Sequence, residues 1–95
     1  MKSAERKKEM RCRVTGKVQG VFYRNFVAAK ACEQDIKGSV KNCSDGSVHV
    51  VAQGDYGILA GFLEILRKGS ASAEVAEITV EWSDPTQTFQ EFSIQ

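Results

Sequence analysis

The residues best suited to chemistry lie in Gly16-Lys17-Val18-Gln19-Gly20-Val21-Phe22-Tyr23-Arg24. The segment follows an alternating stretch and opens a run of helical periodicity, so it reads as a loop entering a helix N-terminus. Backbone N–H groups at a helix start lack intrahelical partners, and the aligned peptide dipoles make that end positive. A tight loop with glycines at both ends lets several N–H groups converge on one anion, a concavity suited to phosphate. Arg24, in the first helical turn, adds a planar fork of donors that matches two phosphate oxygens. Two common nucleotide-binding devices are absent. Gly16-x-x-x-Gly20 lacks the Gly-Lys-Ser/Thr ending of a P-loop, and it does not match the dinucleotide pattern G-x-G-x-x-G. By spacing alone, the segment reads equally well as an ordinary turn followed by a surface arginine.

The elements that must position this loop are short and closely connected. Arg11–Gly16 alternates, with Cys12 and Val14 on one face and Arg11, Arg13 and Thr15 on the other, a half-buried strand. After the loop Lys17–Val21, a helix runs from about Phe22 to Glu33, with Tyr23, Val27 and Ala31 on its apolar side. Ile36–Cys43 and Val48–Gln53 read as two strands of a hairpin, joined by the turn Ser44-Asp45-Gly46-Ser47. Asp55 is a candidate N-cap for a second helix, whose stripe is Ile58, Leu59, Phe62, Leu63 and Leu66 and whose stop is Lys68-Gly69. Val75–Trp82 alternates Ala76, Ile78, Val80 and Trp82 against Glu77, Thr79 and Glu81. A loop containing Pro85 leads to a last strand, Phe89–Ile94. The order β-α-β-β-α-β plus a short fifth strand predicts an α+β fold. Its arrangement is the ferredoxin-like split βαβ sandwich, with two helices on one face of an antiparallel sheet. That fold carries many activities, so it does not give the function.

Composition narrows the field. A chain of 95 residues that is 42% hydrophobic holds one domain with one core. The formal charge of +1 gives no electrostatic case for a nucleic-acid or membrane partner. The outer sheet face also lacks the aromatic pattern of an RNA-binding module. Lys2, Arg6, Lys7 and Lys8 set against Glu5 and Glu9, with almost no apolar residues, predict a solvated basic tail over residues 1–10 and a domain over 11–95. A basic docking arm is the alternative for that tail. No apolar run approaches the roughly 18–20 residues of a membrane span, and the N-terminus lacks the apolar stretch of a signal peptide, which predicts a cytoplasmic protein. Cys12, Cys32 and Cys43 are odd in number with no C-x-x-C pair, so they read as thiols rather than a zinc site; one bridge between two of them stays open. His49 alternates outward without a partner, and Trp82 reads as packing near a strand end.

Val14-x-Gly16-x-Val18-Gln19-Gly20-Val21-x-x-Arg24 resembles the acylphosphatase signature. A second family motif matches separately: Gly38-x-Val40-x-Asn42, then Asp45-Gly46-x-Val48 and Gly54. The resemblance runs from Arg11 to Ile94. It implies an enzyme that hydrolyses the carboxyl–phosphate bond of acyl phosphates to a carboxylate and inorganic phosphate, with no metal and no cofactor. It also implies that Arg24 binds the phosphoryl group, that Asn42 orients the attacking water, and that Gln19, Gly20, Val21, Phe22 and Tyr23 form the phosphate cradle. Chemistry agrees with those roles, because an acyl phosphate has a good leaving group and needs mainly positioning and charge stabilisation. The expected partners are therefore a small acyl phosphate and inorganic phosphate, with the protein a monomer. The family commonly has Gly and Phe where this chain has Phe22 and Tyr23, an aromatic residue at Ser39, and Gly-Pro at Gly69-Ser70. If the cradle needs positive φ at position 22, Phe costs it about 1–2 kcal/mol. These departures define the alternative: a weak or inactive acylphosphatase-like domain that binds anions for regulation.

Overall fold

Alternation, once begun, carries the first strand further than its apolar residues suggest. The computed structural model describes residues 7–20 and 22–95. Within it, β1 spans Lys7–Lys17 and is followed by α1 (Tyr23–Glu33), β2 (Lys37–Asn42) and β3 (Val48–Asp55). Then come α2 (Tyr56–Lys68), β4 (Glu74–Ser83) and β5 (Phe92–Ile94). Met10, Cys12 and Val14 point to the side that carries both helices, where they meet Val40, Val48, Val50 and Ala52 from the sheet and Val27, Ala31, Leu59, Phe62 and Leu66 from the helices. The α2 stripe is narrower than its sequence suggests. Ile58, in the first turn, stays 42% exposed, while Leu59, Phe62 and Leu66 go in.

The sheet order is β4-β1-β3-β2-β5. β1 is antiparallel to β3 and β4, and β2 is antiparallel to β3. β5 lies parallel to β2, so the sheet is mixed rather than wholly antiparallel. The reason is the connection. β4 and β5 occupy opposite edges, so the chain between them crosses the sheet instead of turning a hairpin, which frees β5 from the antiparallel pairing a hairpin imposes. β5 also starts later than expected, at Phe92 rather than Phe89. On the other edge, a register shift between Thr15 and Gly16 changes the phase of β4. Val75, Ile78 and Val80 turn partly inward, Ala76 is exposed, and Trp82 lies outside against Tyr56 with ring centroids 4.7 Å apart.

The predicted solvated tail is corrected at its inner end. Lys7–Met10 belong to β1, and both Glu9 and Met10 are fully buried; residues 1–6 lie outside the described residues. Glu9 can be buried because β1, β3 and the crossing loop each bring it a donor. It accepts from Arg11 Nε at 2.7 Å, Gln53 Nε2 at 2.9 Å and Thr86 N at 3.0 Å, and from the Thr86 hydroxyl. Burial alone would raise the carboxyl above its ordinary value of 4.5, but these hydrogen bonds outweigh it and lower it to about 2. A depressed carboxylate contributes stability above its unfolded pKa and loses it as pH falls through the folded one. The contribution is roughly 3 kcal/mol at neutral pH, lost between about 4.5 and about 2. Glu9→Gln is therefore expected to lower stability at pH 7 and to flatten part of the acid limb, measured as unfolding midpoints in urea across that range.

All three cysteines are free. Cys12 is buried and its thiol is pushed up to about 12 by that burial, so it is an inert core residue.

Candidate active site

Topology decides where the loop and Asn42 meet. β1 and β2 are each antiparallel to β3, so they run the same way and end on the same side of the sheet. The helix joining them, α1, must start where β1 ends. β5 runs with β2 and finishes there too. The loop after β1, the α1 N-terminus, Asn42 at the end of β2 and Gln95 after β5 thus share one end of the molecule. Asn42 is on the same face of β2 as buried Val40, two residues away, which is the face that bears α1. A cleft of about 320 Å³ opens there, lined by Val18, Gly20, Phe22, Tyr23, Arg24, Asn25 and Asn42.

The two helix starts differ. Asp55 caps α2 as its sequence suggests, its Oδ1 accepting from Gly57 N at 2.9 Å and Ile58 N at 3.4 Å. α1 has no side-chain cap and no acidic residue in its first turn. Its leading N–H groups face the cleft without a side-chain acceptor of their own, which leaves them for an anion.

The loop is shaped by positive φ. Gly20 has φ 74 with open space where a side chain would stand, so its backbone conformation sets the requirement for glycine. Gly16 has a different role: a Cβ there would run into Glu74 O and Ala76 N, so glycine lets β1 pass close to β4 at the register shift. Phe22, the N-cap of α1, lies in the left-handed region at φ 60, ψ 23, as a strained cradle would require. Its ring is 82% exposed. The backbone cost of about 1–2 kcal/mol is thus not repaid by packing. Phe22→Asn, whose short polar side chain tolerates this conformation, is expected to raise stability by about 1 kcal/mol in denaturant unfolding. Val21 lies outside the described residues.

Two of the predicted cradle residues contribute in ways their types did not announce. Gln19 Nε2 donates to Cys43 O at 2.8 Å and Ser47 O at 2.9 Å. Both amide hydrogens are spent on the β2–β3 turn. The Gln19 side chain therefore fixes the loop against the hairpin that carries Asn42. Tyr23 is buried beneath α1 and donates its hydroxyl to Leu66 O at 2.9 Å. Leu66 is in the last turn of α2, where carbonyls lack helical partners. Tyr23 thus ties the start of α1 to the end of α2 through its hydroxyl. Burial pushes its phenol above the ordinary range.

Arg24 is half-buried, and its NH1 donates to Gln95 O at 2.8 Å. Gln95 N in turn donates to Val40 O at 2.8 Å, so the residue that follows β5 holds the guanidinium from the β2 side. The hairpin is held as firmly. Asp45 accepts from the Ser47 hydroxyl and from Ser47 N at 2.9 Å, and pairs with Arg13 at 2.6 Å. The Ser47 hydroxyl, then Arg13, holds the Asp45 carboxyl well below the usual range. Ser39 alternates with Val40 and so faces away from the cleft, lining the open side of the sheet with Arg11, Lys41 and His49. Ser39 does not line the cleft that holds Arg24 and Asn42. The Gln95 and Gln19 contacts had no signal in the sequence, since each joins residues distant along the chain through a main-chain oxygen.

A family model described as Acylphosphatase matches residues 10–94. An acylphosphatase of Salinibacter ruber is 39% identical over 88 residues, covering 93% of both chains. The crystal structure of acylphosphatase from Bacillus subtilis superposes with a TM-score of 0.90 at 36% identity, covering 93% of this chain and 98% of that one. An acylphosphatase structure from Coxiella burnetii gives a TM-score of 0.88 at 33% identity, covering 95% and 94%. The chain belongs to the acylphosphatase family, an α+β fold of two helices on a five-stranded mixed sheet. It is an acylphosphatase enzyme acting on acyl phosphates, and this reading is supported over that of a regulatory anion-binding domain.

Proposed function

We propose that Arg24 and the N–H groups at the start of α1 hold the phosphoryl group, and that Asn42 orients the water that attacks it. The observation that carries this reading is the shared cleft: Arg24, the uncapped α1 N-terminus and Asn42 line one concavity. NH1 of Arg24 is engaged by Gln95 O, which leaves Nε and the other amino group for phosphate oxygens. The Asn42 carboxamide accepts a hydrogen bond from water through its oxygen and donates to phosphate through its nitrogen. The water oxygen bonds to phosphorus as the bond from phosphorus to the acyl oxygen breaks. The carboxylate leaves with the electron pair, and the water's proton ends on phosphate or in solvent. Because a carboxylate is a good leaving group, no general base is obligatory, and the protein's work is preorganised charge stabilisation. Gly20, Phe22 and Tyr23 serve as backbone of the cradle, and Gln19 as its brace.

The protein acts as a cytoplasmic monomer on a small molecule, without cofactor, nucleic acid or membrane. The near-neutral charge gives no electrostatic case for a nucleic-acid or membrane partner, and among the described residues no helix is long and apolar enough to cross a membrane. Inorganic phosphate titrated into isotope-labelled protein is expected to shift the amide signals of Gly20 and Phe22–Asn25 and the carboxamide signal of Asn42. It should also inhibit hydrolysis competitively, with turnover unaffected by EDTA. Shifts confined to another part of the molecule would remove the assignment.

A further inference from the structure

The remaining large side chain at the cleft is Phe22, and the fold gains nothing from it. Its backbone is in the left-handed region that disfavours a bulky residue, and its ring is 82% exposed, the most open of the large hydrophobics among the described residues. A single exposed apolar side chain is ordinary, and so is a lone strained residue. Their coincidence at a cleft wall is not, because strain held at a site without return in packing points to function. Phe22 lines the same cleft as Arg24 and Asn42. An acyl phosphate held by its phosphoryl group at the start of α1 must extend its acyl group outward, toward the rim where the ring stands.

We infer that Phe22 is a specificity-determining residue whose ring covers the acyl group, so that this enzyme favours acyl phosphates with a flat apolar acyl part. The inference rests on the phosphate site proposed above. The cradle binds the end common to all acyl phosphates, so discrimination must come from the rim. There an aromatic ring gains contact area from a second ring and little from a methyl group. Tyr23 and Val18 are buried in the core and offer that group no comparable face.

The test compares kcat/KM for benzoyl phosphate and acetyl phosphate in the unmodified enzyme, in Phe22→Asn and in Phe22→Tyr. Asn keeps the left-handed backbone while removing the ring, and Tyr restores the ring. The ratio of benzoyl to acetyl is expected to exceed one in the unmodified enzyme, to fall by about tenfold in Phe22→Asn, and to return with Phe22→Tyr. If Phe22→Asn depresses both substrates equally, the ring has no part in selection and the inference fails while the phosphate site stands. If inorganic phosphate does not compete with either substrate in the unmodified enzyme, it is the phosphate site that fails. Thermal unfolding of each variant separates loss of fold from loss of selection.

Discussion

Arg24→Gln is expected to lower kcat/KM for an acyl phosphate by on the order of 10³-fold or more and to abolish inhibition by inorganic phosphate. The size of the effect follows from what the guanidinium does at that position. Charge builds on the phosphoryl oxygens as the bond to the acyl oxygen loosens, and a fixed cation beside them needs no reorganisation at that moment. The N–H groups of α1 supply partial charges alone, whereas Arg24 supplies a full one. Because Gln95 O fixes NH1 at 2.8 Å, the plane of the fork is set before substrate arrives. Arg24→Lys is expected to recover less than a tenth of the lost activity, since an ammonium offers a point charge without the fork and cannot serve Gln95 and two phosphate oxygens with the same geometry. Steady-state kinetics with phosphate as inhibitor read both losses together. A variant that keeps turnover within about tenfold of the unmodified enzyme would remove Arg24 from the site.

Much of the architecture that places Arg24 was legible because it depends on period. The alternation of Cys12 and Val14 against Arg11 and Arg13 identifies a half-buried strand, and Tyr23, Val27 and Ala31 identify the buried side of α1. Asp55 announced the start of α2 by its type, and the hairpin by its turn residues. What stayed hidden depends on partners distant in the chain. A glutamate among basic residues reads as solvated, and nothing in Lys7–Met10 reveals that Gln53 and Thr86 arrive to bond it. The parallel pairing of β5 was hidden for the same reason, because a short loop after β4 normally implies a hairpin. The site divided in the same manner. Arg24 and Asn42, the side chains proposed to carry the chemistry, stand out in the sequence by type and motif, and the fold brings them to one cleft. Gln19 and Tyr23 carry brackets between elements, and a side chain's choice of a remote carbonyl leaves no local trace.

Those brackets bear on catalysis. The loop proposed to cradle phosphate and the hairpin that carries Asn42 are separate pieces of chain, and the Gln19 carboxamide joins them at two carbonyls. Rigid placement matters here because a displacement of about 1 Å can cost on the order of 10² in rate. The pair Arg13–Asp45 and the Asp45–Ser47 bonds hold the turn from its other side. The geometry around Asn42 is therefore fixed by groups outside the cleft.

Asn42→Ala isolates the second half of the mechanism. It is expected to lower kcat by about 10²- to 10³-fold while the inhibition constant of inorganic phosphate changes only a few fold. The difference from Arg24 is expected because Asn42 is a neutral residue on an exposed strand end, which on the proposed assignment adds little to the binding of a dianion held by Arg24 and the α1 amides. On the proposed mechanism its contribution is concentrated in the transition state, where the water must sit in line with the bond that breaks. Removing such an interaction lowers kcat and kcat/KM together. Asn42→Asp separates orientation from charge. The carboxylate has nearly the shape of the carboxamide and can still accept from water, but it cannot donate to phosphate and it repels it. That variant is expected to lose phosphate binding as well as rate, with partial recovery at acid pH as the carboxylate is protonated. If Asn42→Ala instead weakens phosphate binding as severely as Arg24→Gln does, Asn42 belongs to the anion cradle and the water is positioned by the loop alone.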